Sequence, residues 1–278
     1  MAITVSRIEG DVMKVNAFLV RGPRGTVLLD GMLTVSDAGK VRAALEASGT
    51  ELAGVAITHP HPDHYAGLAH IVGDREVPIV ATREVDAVIR RDDATKEAIV
   101  GPMMGPEWPD RRVFPNQVVA DGETVTLGGL SLRVRSLGPG ESFADTIWEL
   151  DDGTVFPGDV AYNGMHAYLA DGQWERWLDA TDRLERELPA GATLHVGHGP
   201  PGGRELLGRQ RRYIETFVNA VRRHADSVSA GDHAPVLAEL RSLVPSEDLL
   251  FLADLSIKPM LAAMAGARSA GSEGEVQA

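Results

Sequence analysis

The sequence predicts a layered α/β fold. Short runs rich in β-branched residues alternate with longer amphipathic stretches along most of the chain. The alternation occurs twice, and each half ends in helical pattern. No linker rich in Pro, Gly or Ser separates the halves, so one domain is expected over residues 1–264. Residues 265–278 are small and polar and read as a flexible tail.

Residues 3–8, 12–20 and 26–30 read as strands, broken by Gly10-Asp11 and Gly22-Pro23. Residues 36–47 read as a helix, with Ser36 as N-cap and Val41, Ala44 and Leu45 on one face. Residues 55–58 form a short apolar strand. A helix is expected over 64–72, a strand over 78–81 and a helix over 83–91. The Gly- and Pro-containing stretch 92–116 reads as loop. Strands follow at 118–120, 124–127, 130–137, 145–150 and 154–156, then a helix over 173–188. Residues 193–196 complete the strands, and helices are expected over 203–223, 235–243 and 247–264.

The chain has 278 residues, no cysteine, and 27 Lys and Arg against 40 Asp and Glu, a net charge of −13. The lack of cysteine excludes a disulfide scaffold, an iron–sulfur cluster and a thiolate nucleophile or metal ligand. An acidic chain repels phosphate backbones, so nucleic acid is not an expected partner. The first eighteen residues do not read as a signal peptide, and no run approaches a membrane span. A cytoplasmic protein is expected, with a small-molecule substrate, no membrane partner and room for homo-oligomers. Any functional metal needs nitrogen and oxygen ligands.

The strand at 55–58 runs straight into His59-Pro60-His61-Pro62-Asp63-His64. In extended backbone His59 and His61 face the same way and can share a metal, while Asp63 and His64 can reach a neighbouring site. Pro60 and Pro62 fix φ between them, which lowers the entropy cost of holding the ligands. A His-rich surface turn would not place four ligand-type side chains directly after an apolar strand.

This H-x-H-x-D-H motif resembles that of the metallo-β-lactamase superfamily. Val155-Phe156-Pro157-Gly158-Asp159 and His195-Val196-Gly197-His198-Gly199 are similar to the family's later ligand segments, and Leu28-Leu29-Asp30-Gly31 to its early aspartate. The resemblance covers residues 13–203. It implies a four-layer αββα metallo-β-lactamase sandwich and a dinuclear site. His59, His61 and Glu141 would hold one metal, Asp63, His64 and His198 the other, and Asp159 would bridge them. Two Zn²⁺ are implied, with Mn²⁺ or Fe²⁺ as substitutes. Asp30 would support a ligand histidine from behind.

Glu141 stands where the family commonly has histidine, as in its alkylsulfatase-like branch; it would be either an oxygen ligand or a side chain turned away. The implied activity is hydrolysis of a small ester, lactone, amide or sulfate ester by a metal-bound hydroxide. Asp63 would orient the nucleophile. Asp159-Val160-Ala161-Tyr162 is similar to the spacing in lactonases of the superfamily, where the tyrosine supports the substrate carbonyl; otherwise Tyr162 packs in a loop wall. Met103, Met104 and Trp108, with Asn163 and His166, are candidate pocket residues. Trp174 and Trp177 suit either that pocket or a buried helix face, and His195 reads as a core histidine. The alternatives are a mononuclear iron oxygenase of the persulfide-dioxygenase type, and a non-catalytic metal-binding protein.

Overall fold

The computed structural model describes residues 3–274. Two mixed sheets face each other. The first has the order β1 (Thr4–Glu9), β2 (Asn16–Gly22), β3 (Gly25–Leu29), β4 (Leu52–Ala56), β5 (Ile79–Thr82) and β6 (Gln117–Val119). β1 to β3 form an antiparallel meander, and β3 to β6 run parallel. The parallel steps are crossed by α1 (Val35–Ser48), by α2 (Leu68–Val72), and by α3 (Arg83–Met104).

The second sheet has the order β11 (Thr193–His198), β10 (Thr154–Tyr162), β9 (Asp145–Glu149), β8 (Leu130–Gly138) and β7 (Thr124–Leu127). Only the β10–β11 pair is parallel, and α4 (Trp174–Glu187) makes that crossover. α5 (Glu205–Arg223), α6 (Ala225–Ser229), α7 (Ala234–Leu243) and α8 (Leu250–Gly274) complete the chain.

Strand periodicity sorts the core into three seams. In β3, Val27 and Leu29 point between the sheets, while Leu28 points to the first helical layer. Val55 and Ala56 of β4 divide in the same way. Phe18, Leu132, Trp148 and Phe156 fill the seam between the sheets. Leu194, Phe217, Val221 and Ile257 pack the second sheet against its helices. Helix, sheet, sheet, helix is the expected four-layer sandwich.

Several elements differ from expectation. β2 begins at Asn16 rather than Val12. Residues 10–12 are held in a turn instead, where Asp37 accepts from the Asp11 amide at 3.0 Å and from the Val12 amide at 3.4 Å. Helix α3 runs on through Gly101 and Pro102 to Met104, so residues 92–104 are not loop. Pro102 falls in the last turn, where its missing N–H forfeits one intrahelical bond without interrupting the turns before it, and Gly105 at φ 56° ends the helix. β10 continues past Pro157 and Gly158 to Tyr162, its register with β11 shifting at Gly158. Toward the C-terminus, α8 carries helical backbone on to Gly274, into the stretch read as a tail. Residues 275–278 of that stretch lie outside the described residues.

Candidate metal centre

Both sheets deliver ligand-type side chains to one end of the sandwich. β4 exits into His59 and His61, and a single 3-10 turn (Pro62–His64) then points Asp63 and His64 the same way. The β8–β9 loop supplies Glu141, β10 supplies Asp159, and His198 ends β11. All seven are buried. Their ligand atoms fall into three overlapping groups: His59, His61 and Glu141; His59, His64 and Asp159; Asp63, His64 and His198. Within each group the atoms lie within 4.8 Å of one another.

The distances place Asp159 centrally. Its carboxylate is 3.9 Å from His59 Nε2, 3.4 Å from His64 Nε2 and 3.1 Å from His198 Nε2. Glu141 Oε2 sits 3.0 Å from His61 Nδ1 and 3.7 Å from His59 Nε2, so its side chain turns into the cluster. Asp63 Oδ2 is 3.4 Å from His198 Nε2.

Hydrogen bonds behind the cluster fix which atoms face it. Asp30 sits at φ 58°, a left-handed conformation that aspartate tolerates better than bulkier residues. Its carboxylate accepts from the Thr58 amide at 2.8 Å, the Thr58 hydroxyl at 2.7 Å and His64 Nδ1 at 3.0 Å. Having donated to Asp30, Thr58 Oγ1 accepts from His59 Nδ1 at 2.9 Å. With Nδ1 carrying the proton in both rings, Nε2 of His59 and of His64 turns a lone pair inward. His61 is reversed: Nδ1 faces Glu141, and Nε2 donates to Asp171 at 3.3 Å.

The Tyr162 hydroxyl shares its one proton between Asp159 Oδ2 at 2.8 Å and Glu141 Oε1 at 3.1 Å, and its ring stacks on His198 at 5.1 Å. Its hydroxyl therefore serves two carboxylates, rather than standing free for a substrate carbonyl. The Glu141 turn is held by Asp145, which accepts from the Glu141 amide at 2.7 Å and from the Ser142 hydroxyl. Gly197 is required by the centre, since a Cβ there would collide with Asp159 Oδ1.

The donor set fits metal cations. His59 Nε2, His64 Nε2, Glu141 Oε2 and Asp159 Oδ1 are buried without any hydrogen-bond partner, and all four face the cluster. The charges fit as well. Burial, opposed by His61, pushes the Glu141 carboxyl up to about 8. Against burial, His198, His64 and His59 hold Asp159 well below the ordinary range. Against burial, Asp159 and Asp63 raise His198 to about 9. Three carboxylates and four imidazoles packed so closely compete for a few protons, and divalent cations would replace them.

The candidate pocket residues separate. Met103 and Met104 line a cavity whose floor is His61, Asp63, Glu141, Asp159, Tyr162 and His198. Trp108 does not line it; it packs behind the wall with Leu33 and Ala66, under the Arg112 guanidinium. Asn163 turns away to donate to the Pro200 carbonyl. His166 is fully buried elsewhere, bonded to the Tyr213 hydroxyl and the Ser246 carbonyl. Trp177 donates to the Val160 carbonyl inside the core, and His195 packs on Phe18 and Phe156.

Asp171, Tyr168 and the α8 side chains Phe251, Leu252 and Leu255 also border the site. They lie far along the chain from the motif, in segments without a spacing signal, so only the fold brings them there.

The model of the Metallo-beta-lactamase superfamily matches residues 10–202. A hydroxyacylglutathione hydrolase of Methylobacterium nodulans is 27% identical over 253 residues, covering 82% of this chain and 97% of that one. Further hydroxyacylglutathione hydrolases match over little more than half of their own length. An acyl-coenzyme A thioesterase of Bos taurus is 28% identical over 228 residues, covering 70% of this chain and 77% of that one. A metallo-beta-lactamase family protein of Thermus thermophilus superposes with a TM-score of 0.66 at 21% identity, covering 95% and 94% of the two chains.

Proposed function

Because the chain belongs to the metallo-beta-lactamase superfamily and is a metal-dependent hydrolase of that fold, we propose that its centre holds two divalent cations, zinc first, and cleaves a small ester or thioester. The observation that carries this reading is the convergence of four unpartnered buried ligand atoms, from both sheets, at the base of an apolar cavity that Glu141 and Asp159 line. His59, His61 and Glu141 would hold one cation and Asp63, His64 and His198 the other, with Asp159 between them. When bound, such a pair supplies a water nucleophile active near neutral pH and positive charge for the oxygen of the scissile group.

The protein's own part is positioning. Tyr162 engages one oxygen each of Asp159 and Glu141 and leaves the other for a cation. Asp30 and Asp171 fix the imidazoles. Asp63, at the cavity floor, is placed to accept a proton from water and orient it. Relatives named for thioester substrates favour an acyl group over a sulfate ester.

The test is a hydrolysis screen of the zinc-loaded protein against aryl esters, thioesters, lactones, β-lactams and alkyl sulfates. Metal content is measured in parallel, and Asp159→Ala serves as the blank. About two zinc per chain with ester or thioester cleavage is expected. One iron per chain with oxygen consumption would replace this reading by an oxygenase, and no metal at all would end it.

A further inference from the structure

The cavity above the centre has a volume of about 320 Å³ and is walled by two helices that face each other. From α3 come Lys96, Ile99, Val100, Met103 and Met104, spaced three and four apart so that they form one stripe. From α8 come Phe251, Leu252 and Leu255. Val12, in the turn that Asp37 holds, and Met13 beside it close the near side. Among the described residues eight large apolar side chains are exposed, and five of them gather at this one mouth: Val12, Ile99, Met103, Phe251 and Leu255. Apolar side chains gathered and turned outward at one mouth cost free energy unless something covers them.

We propose that this trough holds the linear aliphatic chain of an acyl substrate, with its ester or thioester carbon at the metal centre. This deepens the hydrolase reading and rests on it. The floor is the ligand cluster itself, so an occupant must present its reactive group there and run outward between α3 and α8. Three methionines and unbranched space between helices suit a flexible alkyl chain. A peptide thiol carrier such as glutathione brings two carboxylates and an amine, and above the floor the lining offers only one charged group, Lys96. The α8 wall lies beyond the residues matched by the family model, in the C-terminal segment. In the reaction the water oxygen bonds to the acyl carbon and the C–O or C–S bond breaks; one water proton leaves with the alcohol or thiol, the other passes to solvent, and a fatty carboxylate remains.

The experiment compares p-nitrophenyl esters from acetate to decanoate on the zinc-loaded protein. It also measures calorimetric binding of 1-decanol against ethanol. The value of kcat/KM should rise by up to roughly fourfold per methylene until the trough is filled. The decanoate-to-acetate ratio should fall at least tenfold in Leu255→Asp and in Met103→Asp, both at exposed positions, and stay put in Leu243→Asp, an exposed leucine elsewhere. Decanol should bind the parent protein and not Leu255→Asp.

Ester cleavage with no dependence on chain length overturns the proposal and leaves the hydrolase reading standing. No cleavage above the Asp159→Ala blank defeats the hydrolase reading, and decanol binding then decides the trough by itself. A dimer in sedimentation that Leu255→Asp converts to monomer, with chain-length preference unchanged, assigns the face to a second copy and overturns the proposal.

Discussion

Glu141 is the residue on which the chemistry of this centre turns. A carboxylate in place of imidazole adds a negative charge, and the fold prepares for it: Asp145 grips the turn, Tyr162 takes Oε1, and Oε2 points at His61. Glu141→Ala should lower zinc from about two to about one per chain and cut hydrolysis, whereas Glu141→His should keep both cations with a changed rate. Elemental analysis beside a single ester assay checks this, and two cations in the alanine variant would show that Glu141 is no ligand. Tyr162→Phe and Asp171→Asn each leave the ligands in place but release what orients them. A loss of roughly 10- to 100-fold in zinc affinity or rate is expected for each. Competition with a chromophoric chelator measures the affinity; unchanged values would reduce these contacts to packing.

At the scale of elements, α8 is seated by a residue that sequence reading placed in the pocket. The His166 amide donates to Asp248, and its ring donates from Nε2 to Ser246 and accepts at Nδ1 from Tyr213. This ties the segment after β10 to the α7–α8 junction. Burial holds the ring below the ordinary histidine pKa of about 6.5. The unfolded chain therefore takes a proton first as pH falls. The stability held by neutral His166 is full above about pH 6.5 and is lost as pH drops through the folded value. Thermal unfolding followed from pH 8 to pH 5 should show a falling Tm, with a shallower slope in His166→Gln. An identical slope in the variant would assign the acid sensitivity to other groups.

For the whole molecule, the centre exists only while the two sheets stay in register, because each supplies part of it. Trp148 in β9 donates across the seam to the Ile57 carbonyl at 3.0 Å, two residues before the ligand motif. Trp148→Phe leaves that buried acceptor without its donor and should cost about 1–3 kcal/mol in denaturant unfolding, with weaker zinc retention. Stripping the metal should lower Tm, since a cation that binds only the folded chain stabilises it by mass action, and restoring zinc should recover it. A Tm indifferent to chelator would mean the sandwich stands without its cations.

The sequence by itself determined the alternation of strands and helices and the six-residue motif. It also determined the later Asp159 and His198 segments and the need for nitrogen and oxygen ligands. All of these are local: they depend on spacing along the chain, on the period of a strand, and on residue chemistry. What local pattern misjudged, the tertiary structure decided. Gly101 and Pro102 read as breakers, yet α3 continues through them. Trp108, Asn163 and His166 carry the right chemistry for a pocket but face other partners. Asp171 reaches His61 from 110 residues away, and α8 closes a trough over a motif near the other end of the chain. Which distant side chains meet, and which nitrogen of each histidine faces the centre, is set by the packing of four layers.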